Sequence, residues 1–346
     1  MRKIEGEFFL ELVNKIIQIR PLLKSLNLGD FEFKISRQPQ FYNASEIKEI
    51  YKVESIKITR LSTPLIFCLK INEELKPIQN EINAREVLKN LRKKRFYIPQ
   101  VFNSSLLSSE INSFHWVAME WIRDHIHPQI NPSVLRDIAF ALADYQFNQP
   151  SVSEIATIYK IKLPQFSEIN SKHIISLSNH LHGIEQAMQN SLYAEISKEE
   201  LDLIMNSITK LLDLLPRCNL EGLCLNHGDF HIYNIIVSKH LSSRDRLVIF
   251  DWEYSGLDSP FSDLAHFISF LTEAESSCFF HMYIEALDHY GKKLDRDSVS
   301  YTCFVLTAFY IIRHIKNHFE KKQRSENKTK RKFWFKRLHE IMLNLE

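Results

Sequence analysis

Apolar positions change their period several times along the chain, and each change marks an element. Ile4, Phe8, Leu12, Ile16 and Ile19 recur every three to four residues, which predicts an amphipathic helix ending near Leu26 with Gly29 as its stop. The period then drops to two over Phe31–Ile35. A polar loop, Arg37–Ser45, separates that strand from strand-like runs at Ile47–Val53 and Leu65–Ile71, with Ile56–Ile58 extending the hairpin, so a small antiparallel sheet is expected. Helical spacing returns over Ile78–Leu91, where Glu81, Ala84, Leu88 and Leu91 share a face. Pro99 leads into a further strand, and Phe114–Met119 predicts another. From Pro132 the pattern is helical again through Leu135, Ile138, Ala139, Leu142 and Tyr145. Ile155–His182 is mixed and predicts no definite element. Ser197-Lys-Glu-Glu reads as a helix start running to Leu215, before Pro216. Ile235–Val237 and Leu247–Phe250 flank the polar turn Ser242–Asp245, which predicts a hairpin of two buried strands. Asp263 opens a helix through Leu271, and Ser276–Tyr290 and Ser298–Phe319 predict two more. The most apolar window, Tyr301–Ile312, falls short of the ~18 residues of a membrane span and reads as a buried helix.

A chain of 346 residues exceeds one average domain and predicts two lobes. Lys+Arg 44 against Asp+Glu 42 gives a net charge of +2, which offers no case for nucleic acid or an anionic membrane as partner. The five cysteines lie apart, without a CxxC pair, as buried free thiols of a reducing compartment do. Acids precede any long apolar run at the N-terminus, so no signal peptide is expected and the cytoplasm is the default location. The basic run Lys321–Arg337 holds Phe333, Trp334 and Phe335 and reads as a solvated helical hairpin whose aromatics dock on the lobe, with an anionic surface contact as the alternative. An oligomeric state is not legible.

The chemistry concentrates around the Ile235–Phe250 hairpin. Asp229 and Asn234 precede its first strand and Asp251 follows its second. An antiparallel hairpin brings its outer ends together, so the three side chains are expected to converge. Oxygen ligands of this kind suit a hard cation such as Mg²⁺, which takes one or two carboxylates and completes its shell with water and phosphate.

Asp229 and Asn234 stand at the D-x-x-x-x-N spacing of a protein-kinase catalytic loop, and Asp251 stands where a second metal-binding Asp follows the next hairpin. Gly228 replaces the kinase Arg, and Trp252-Glu253 replaces Phe-Gly. The full form, H-G-D-F-H-I-Y-N followed by V-I-F-D-W-E, resembles the aminoglycoside phosphotransferase and choline kinase superfamily. That resemblance implies an α+β, two-lobed protein-kinase-like fold, with a small antiparallel-sheet nucleotide lobe over 1–119, a hinge over 120–123 and a larger, mainly helical catalytic and substrate lobe over 124–346. It implies ATP and Mg²⁺ as cofactors and a hydroxyl of a small molecule (amino alcohol, sugar or aminoglycoside) as acceptor. Asp229 is then the catalytic residue, Asn234 and Asp251 the metal ligands, and Lys70 the phosphate-contacting lysine. Glu81 is the acidic partner of Lys70, with Glu86 as the alternative. Ser45, in a glycine-free loop, meets a phosphate oxygen, and the Glu120–Ile122 backbone meets adenine. His227, His231 and Asp263 support the loop. Two other readings stand beside this one: a non-catalytic nucleotide-binding module, motivated by the glycine-free loop, and a protein kinase. The absence of D-F-G and A-P-E, and the short stretch between Asp251 and Asp263, weigh against the protein kinase. Glu273, Glu275, Glu285 and Asp288 are available to an aminoglycoside pocket, and aromatics near the site to a quaternary ammonium.

Overall fold

Strand β3 (Ile66–Asn72) alternates Phe67, Leu69 and Ile71, all fully or almost fully buried, with Cys68 and Lys70, and this fixes its place inside a sheet. The computed structural model describes residues 32–37, 48–57, 66–72, 74–89, 91, 95–104, 115–122, 125–163, 168–189, 196–220, 222–238, 247–320 and 328–345. The expected first helix, the Arg37–Ser45 loop apart from Arg37, and the Ser242–Asp245 turn lie outside them.

The chain divides into two compact units, 1–86 with 96–126 and 236–254, and 87–95 with 127–235 and 255–346. In the first, β3 is the central strand of a five-stranded antiparallel sheet. Its order is β1 (Glu32–Arg37), β2 (Lys48–Lys57), β3, β5 (His115–Glu120) and β4 (Val101–Ser104). Lys70 lies across from Ile50 on one neighbour and Val117 on the other. Helix α1 (Leu75–Lys89) presents Ile78 and Ile82 to Cys68, Val101, Val117 and Met119 of this sheet. A second, three-stranded sheet has the order β6 (His125–Ile126), β8 (Ile235–Ser238) and β9 (Leu247–Ile249). Tyr97 pairs with β9 through Tyr97 N–H to the Leu247 carbonyl (2.7 Å) and Ile249 N–H to the Tyr97 carbonyl (3.0 Å).

The second unit is helical around one two-stranded sheet, β7 (Cys224–Asn226) with β10 (Gly256–Asp258). Helix α2 (Pro132–Phe147) starts on Asn131, whose side chain accepts from Val134 N–H, with Pro132 in the first turn. The mixed segment resolves into α3 (Val152–Tyr159) and α4 (Ile169–Gln189). Helix α5 (Lys198–Leu214) opens with a capping box, Ser197 and Glu200. Helix α6 (Pro260–Ile268) begins three residues earlier than its sequence suggests, because Ser259 caps it and Pro260 fills the first position. Asp263 therefore lies inside the helix, and its carboxylate serves another segment. Helices α7 (Glu273–His289), α8 (Arg296–Glu320) and α9 (Lys328–Asn344) follow. Helix α2 packs on α7, and α8 packs on α6 and α9. Burial of Phe267 and Phe279, both fully inside, is worth roughly 1.5–3 kcal/mol each.

Over Arg296–Phe319, α8 is the one described helix that is long and apolar enough to cross a membrane by length and composition, and two thirds of that window is buried inside the protein. In the basic run Trp334 and Phe335 are buried, as docking aromatics are expected to be. Arg337 departs from a solvated face: it is buried, pairs with Glu340 (2.8 Å) and donates to Ser276 Oγ (3.0 Å). The cysteines are free; Cys218, Cys224 and Cys303 are buried and Cys68 and Cys278 half-buried.

Candidate active site

Lys70 is a buried ammonium, 2% exposed, and a buried cation persists only when it is paired. Its Nζ lies 2.5 Å from Asp251 Oδ1, 2.8 Å from Glu253 Oε2 and 2.9 Å from Glu81 Oε2. Burial alone would lower its pKa, but Asp251, Glu253 and Glu81 together raise it well above the ordinary lysine value. Glu81, fully buried, would be raised by burial, but Lys70 and Arg85 hold it below the ordinary value; Arg85 Nη2 reaches its Oε1 at 2.6 Å. Glu86 is exposed. Two cations thus meet three carboxylates. One surplus negative charge on hard oxygen donors suits a divalent cation. Asp251 takes a left-handed backbone, φ +69°, which Asp tolerates better than most residues. Helix α1 also holds the following turn, since Asn80 Nδ2 donates to the Glu253 carbonyl at 2.9 Å.

At the end of β5, Glu120 N–H donates to the Gln100 carbonyl (2.8 Å), and its carboxylate accepts from Tyr97 Oη (2.5 Å) and Gln100 N–H (3.2 Å). The Glu120 side chain is therefore engaged within this unit. Ile122 is buried, and its carbonyl accepts from His125 Nδ1 at 2.7 Å. Ser45 lies outside the described residues.

The second unit holds the H-G-D loop. Gly228 has φ +79°, a conformation costly for any side chain, which explains the glycine before Asp229. Asp263 clamps the loop: its carboxylate accepts from His227 N–H (2.6 Å), Gly228 N–H (3.0 Å) and Tyr145 Oη (2.8 Å). Burial pushes Asp263 up to about 7 against the pull of those donors. His227 is fully buried, and its Nδ1 accepts from Asp229 N–H at 3.3 Å. Asn234 ends a short 3-10 turn (Ile232–Asn234), and its Nδ2 donates to the Asp229 carbonyl (2.9 Å) and to Asp229 Oδ2 (3.2 Å). The amide oxygen is thus the Asn234 atom suited to a hard cation. His231 Nε2 lies 3.2 Å from Asp229 Oδ2, and His266 Nε2 lies 3.9 Å from Oδ1. Burial would raise Asp229, but His231, His266 and His227 hold it well below the usual carboxylate range. Among the described residues, no cluster of three or more His, Cys, Asp or Glu forms a metal site by itself, so a cation here would depend on few protein ligands.

Several participants carry no role in the sequence reading. Glu253 follows Asp251 in D-W-E, so its closeness to Lys70 was there to be inferred. Tyr145 and Gln146 lie in the last turn of α2. Here Tyr145 holds Asp263, and Gln146 bonds the Pro260 carbonyl (2.7 Å) and Tyr283 Oη (2.8 Å). His266 lies one helical turn beyond Asp263. Three of the four acids considered for an aminoglycoside pocket are engaged elsewhere: Glu275 caps α7 through Thr272, Glu285 pairs with Arg136, and Asp288 pairs with Arg296.

No curated protein matches the chain. Among solved structures, the aminoglycoside phosphotransferase APH(2")-IIia in its GDP and kanamycin complex is 11% identical, with a TM-score of 0.60 over 97% of this chain and 99% of that one. The Plasmodium vivax ethanolamine kinase is 16% identical, with a TM-score of 0.58 over 99% and 91%. The macrolide 2'-phosphotransferase MphH of Brachybacterium faecium is 8% identical, with a TM-score of 0.55 over 94% and 97%. These likenesses establish the fold as α+β, two-lobed and protein-kinase-like. Residues 67–295 match the model of the phosphotransferase enzyme family, a stretch that runs from the strand of Lys70 past the helix of Asp263, and by that match the chain belongs to this family as a small-molecule kinase.

Proposed function

We propose that the protein transfers the γ-phosphoryl group of ATP, with Mg²⁺, to a hydroxyl of a small molecule in the cytoplasm. The observation that carries this reading is Asp229, a carboxylate contacted by His231 and Asn234 in a loop whose backbone Asp263 clamps. A carboxylate so far below its ordinary range is a weak base. Phosphoryl transfer through a loose transition state asks mainly for an oriented nucleophile, and a fixed acceptor oxygen supplies that. Asp229 receives the hydrogen bond of the acceptor hydroxyl, aims its oxygen at phosphorus and takes the proton as the new P–O bond forms and the bond from the γ-phosphorus to the β–γ bridging oxygen breaks, with ADP leaving. Lys70, positioned by Glu81, contacts the donor phosphates. Ser45 and the backbone groups of Glu120 and Ile122 hold the nucleotide. Asn234 and Asp251 would hold Mg²⁺, which neutralises charge on the phosphates. The GDP in the complex of the structural neighbour APH(2")-IIia supports a purine nucleotide as donor. The kanamycin bound in that complex, together with the ethanolamine kinase and the macrolide phosphotransferase, supports amino alcohols, sugars and aminoglycosides as the acceptors to try first.

The test is an ADP-release assay with ATP and Mg²⁺ across those acceptors. Acceptor-dependent release that falls at least ~100-fold in Asp229→Ala is expected, with a comparable loss in Asp251→Ala. Nucleotide-dependent thermal stabilisation without release on any acceptor would instead favour a non-catalytic nucleotide-binding module.

A further inference from the structure

Helix α6 (Pro260–Ile268) places two side chains against the catalytic loop from one face, at a spacing of three residues. Asp263 holds the loop backbone, and His266 faces the carboxylate itself. The oxygens of Asp229 are divided. Oδ2 takes Asn234 Nδ2 and His231 Nε2, each at 3.2 Å, while Oδ1 faces His266 Nε2 at 3.9 Å. The His266 ring is held on several sides. It lies nearly parallel to Tyr310 (centroids 4.6 Å apart, 14°) and to His314 (5.2 Å, 24°), one turn apart on α8, and His231 meets its edge at 5.8 Å. Ser269 Oγ donates to its carbonyl at 2.6 Å and contacts His314 Nε2 at 3.1 Å. His266 is 3% exposed, and its Nδ1 meets no protein partner. An orphaned buried nitrogen destabilises a fold, and a phenyl ring would fill the same place without that cost. We propose that His266 is a positioning residue for Asp229: its Nε2–H faces Oδ1 across 3.9 Å, longer than a hydrogen bond, and orients that oxygen by its dipole, which sets the direction left to the acceptor hydroxyl. Burial lowers the pKa of this ring well below the ordinary histidine value, against the pull of Asp229. This inference rests on Asp229 being the residue that receives the acceptor hydroxyl.

Two measurements test it. In the first, His266→Phe keeps the ring stack and removes the N–H, while His266→Gln keeps an N–H donor. Phe is expected to leave the melting temperature and the nucleotide KM near wild type and to lower kcat by about 10–100-fold, the scale of a misplaced reacting group; Gln is expected to recover most of that loss. Wild-type kcat in the folded Phe variant would overturn the proposal while leaving phosphotransfer standing. The second needs no turnover, so it decides the matter even if the wild-type protein transfers no phosphate. Imidazole ¹⁵N signals should show His266 protonated at Nε2 in the wild type, and this signature should shift in Asp229→Leu. An unchanged His266 signature, or an Nδ1–H tautomer in the wild type, sinks the idea.

Discussion

Lys70 sits among more negative charge than it can neutralise, and Arg85 adds a second cation. Lys70→Met would leave three carboxylates around an apolar tip. Removing one partner from a buried ion pair destabilises by about 3–5 kcal/mol, and a loss of that order is expected by urea unfolding at pH 7. Glu81, depressed in the folded state by Lys70 and Arg85, contributes stability that is present above its unfolded pKa and fades as pH falls through the folded one. The deficit of the variant should therefore narrow in acid, and a constant deficit from pH 7 to 4 would contradict this account. Gly228→Ala carries a different penalty. At φ +79° a Cβ costs about 1–2 kcal/mol, and relief of that strain would draw Gly228 N–H away from Asp263. The variant should stay folded and lose activity out of proportion to its stability, compared by melting temperature and kcat on one preparation.

Helix α6 shows what an element adds to its residues. Asp263→Asn keeps one acceptor oxygen where three donors converge, which leaves at least one buried donor unsatisfied and costs about 1–3 kcal/mol. Loss of loop order should remove most turnover, and an Asn variant with wild-type kcat and melting temperature would show that the clamp is dispensable. The same helix marks the limits of sequence reading. The D-x-x-x-x-N spacing and the Lys70 strand were legible because local order along the chain carries them. Asp263 was read both as a helix start and as a support of the loop; Ser259-Pro260 is the stronger start and takes the first role, which leaves the carboxylate to the loop. Helices α3 and α4 were illegible for a plain reason. In α4, Leu181, Ile184 and Met188 are buried, yet Ile175 is 58% exposed and serines, histidines and a glycine interrupt the stripe, so no period stands out. His266 was illegible because its role depends on a helix face meeting a loop more than thirty residues upstream in the chain.

On the scale of the whole molecule, the nearly balanced charge, +2, makes buried titratable groups more telling than net charge for its response to pH. Two act in opposite directions. His314, stacked on Trp334 at 5.4 Å and on His266, is lowered to about 3 by burial, with Arg313 and His231 adding to the shift. An unfolded chain protonates this histidine near 6.5, so the unfolded state binds more protons below that pH and the folded state loses stability as pH falls from 6.5 towards 3. One such group gives at most about 1.4 kcal/mol per pH unit. Asp144 is raised to about 6 by burial, despite a bond from Arg95 N–H (2.8 Å). It works the other way: the folded state holds the proton first, so stability rises as pH falls from 6 towards the ordinary carboxylate value. The two slopes oppose between pH 6 and 4, and the wild-type profile alone hides both. The variants separate them. His314→Phe keeps a ring between His266 and Trp334 and should grow more stable than the wild type, in relative terms, with each step below pH 6.5. Asp144→Asn should gain on the wild type with each step from pH 4 up to 6 and hold that gain above it. Urea unfolding of the three proteins at pH 4, 5, 6 and 7 reads both differences, and parallel profiles for a variant and the wild type would remove that residue from the account.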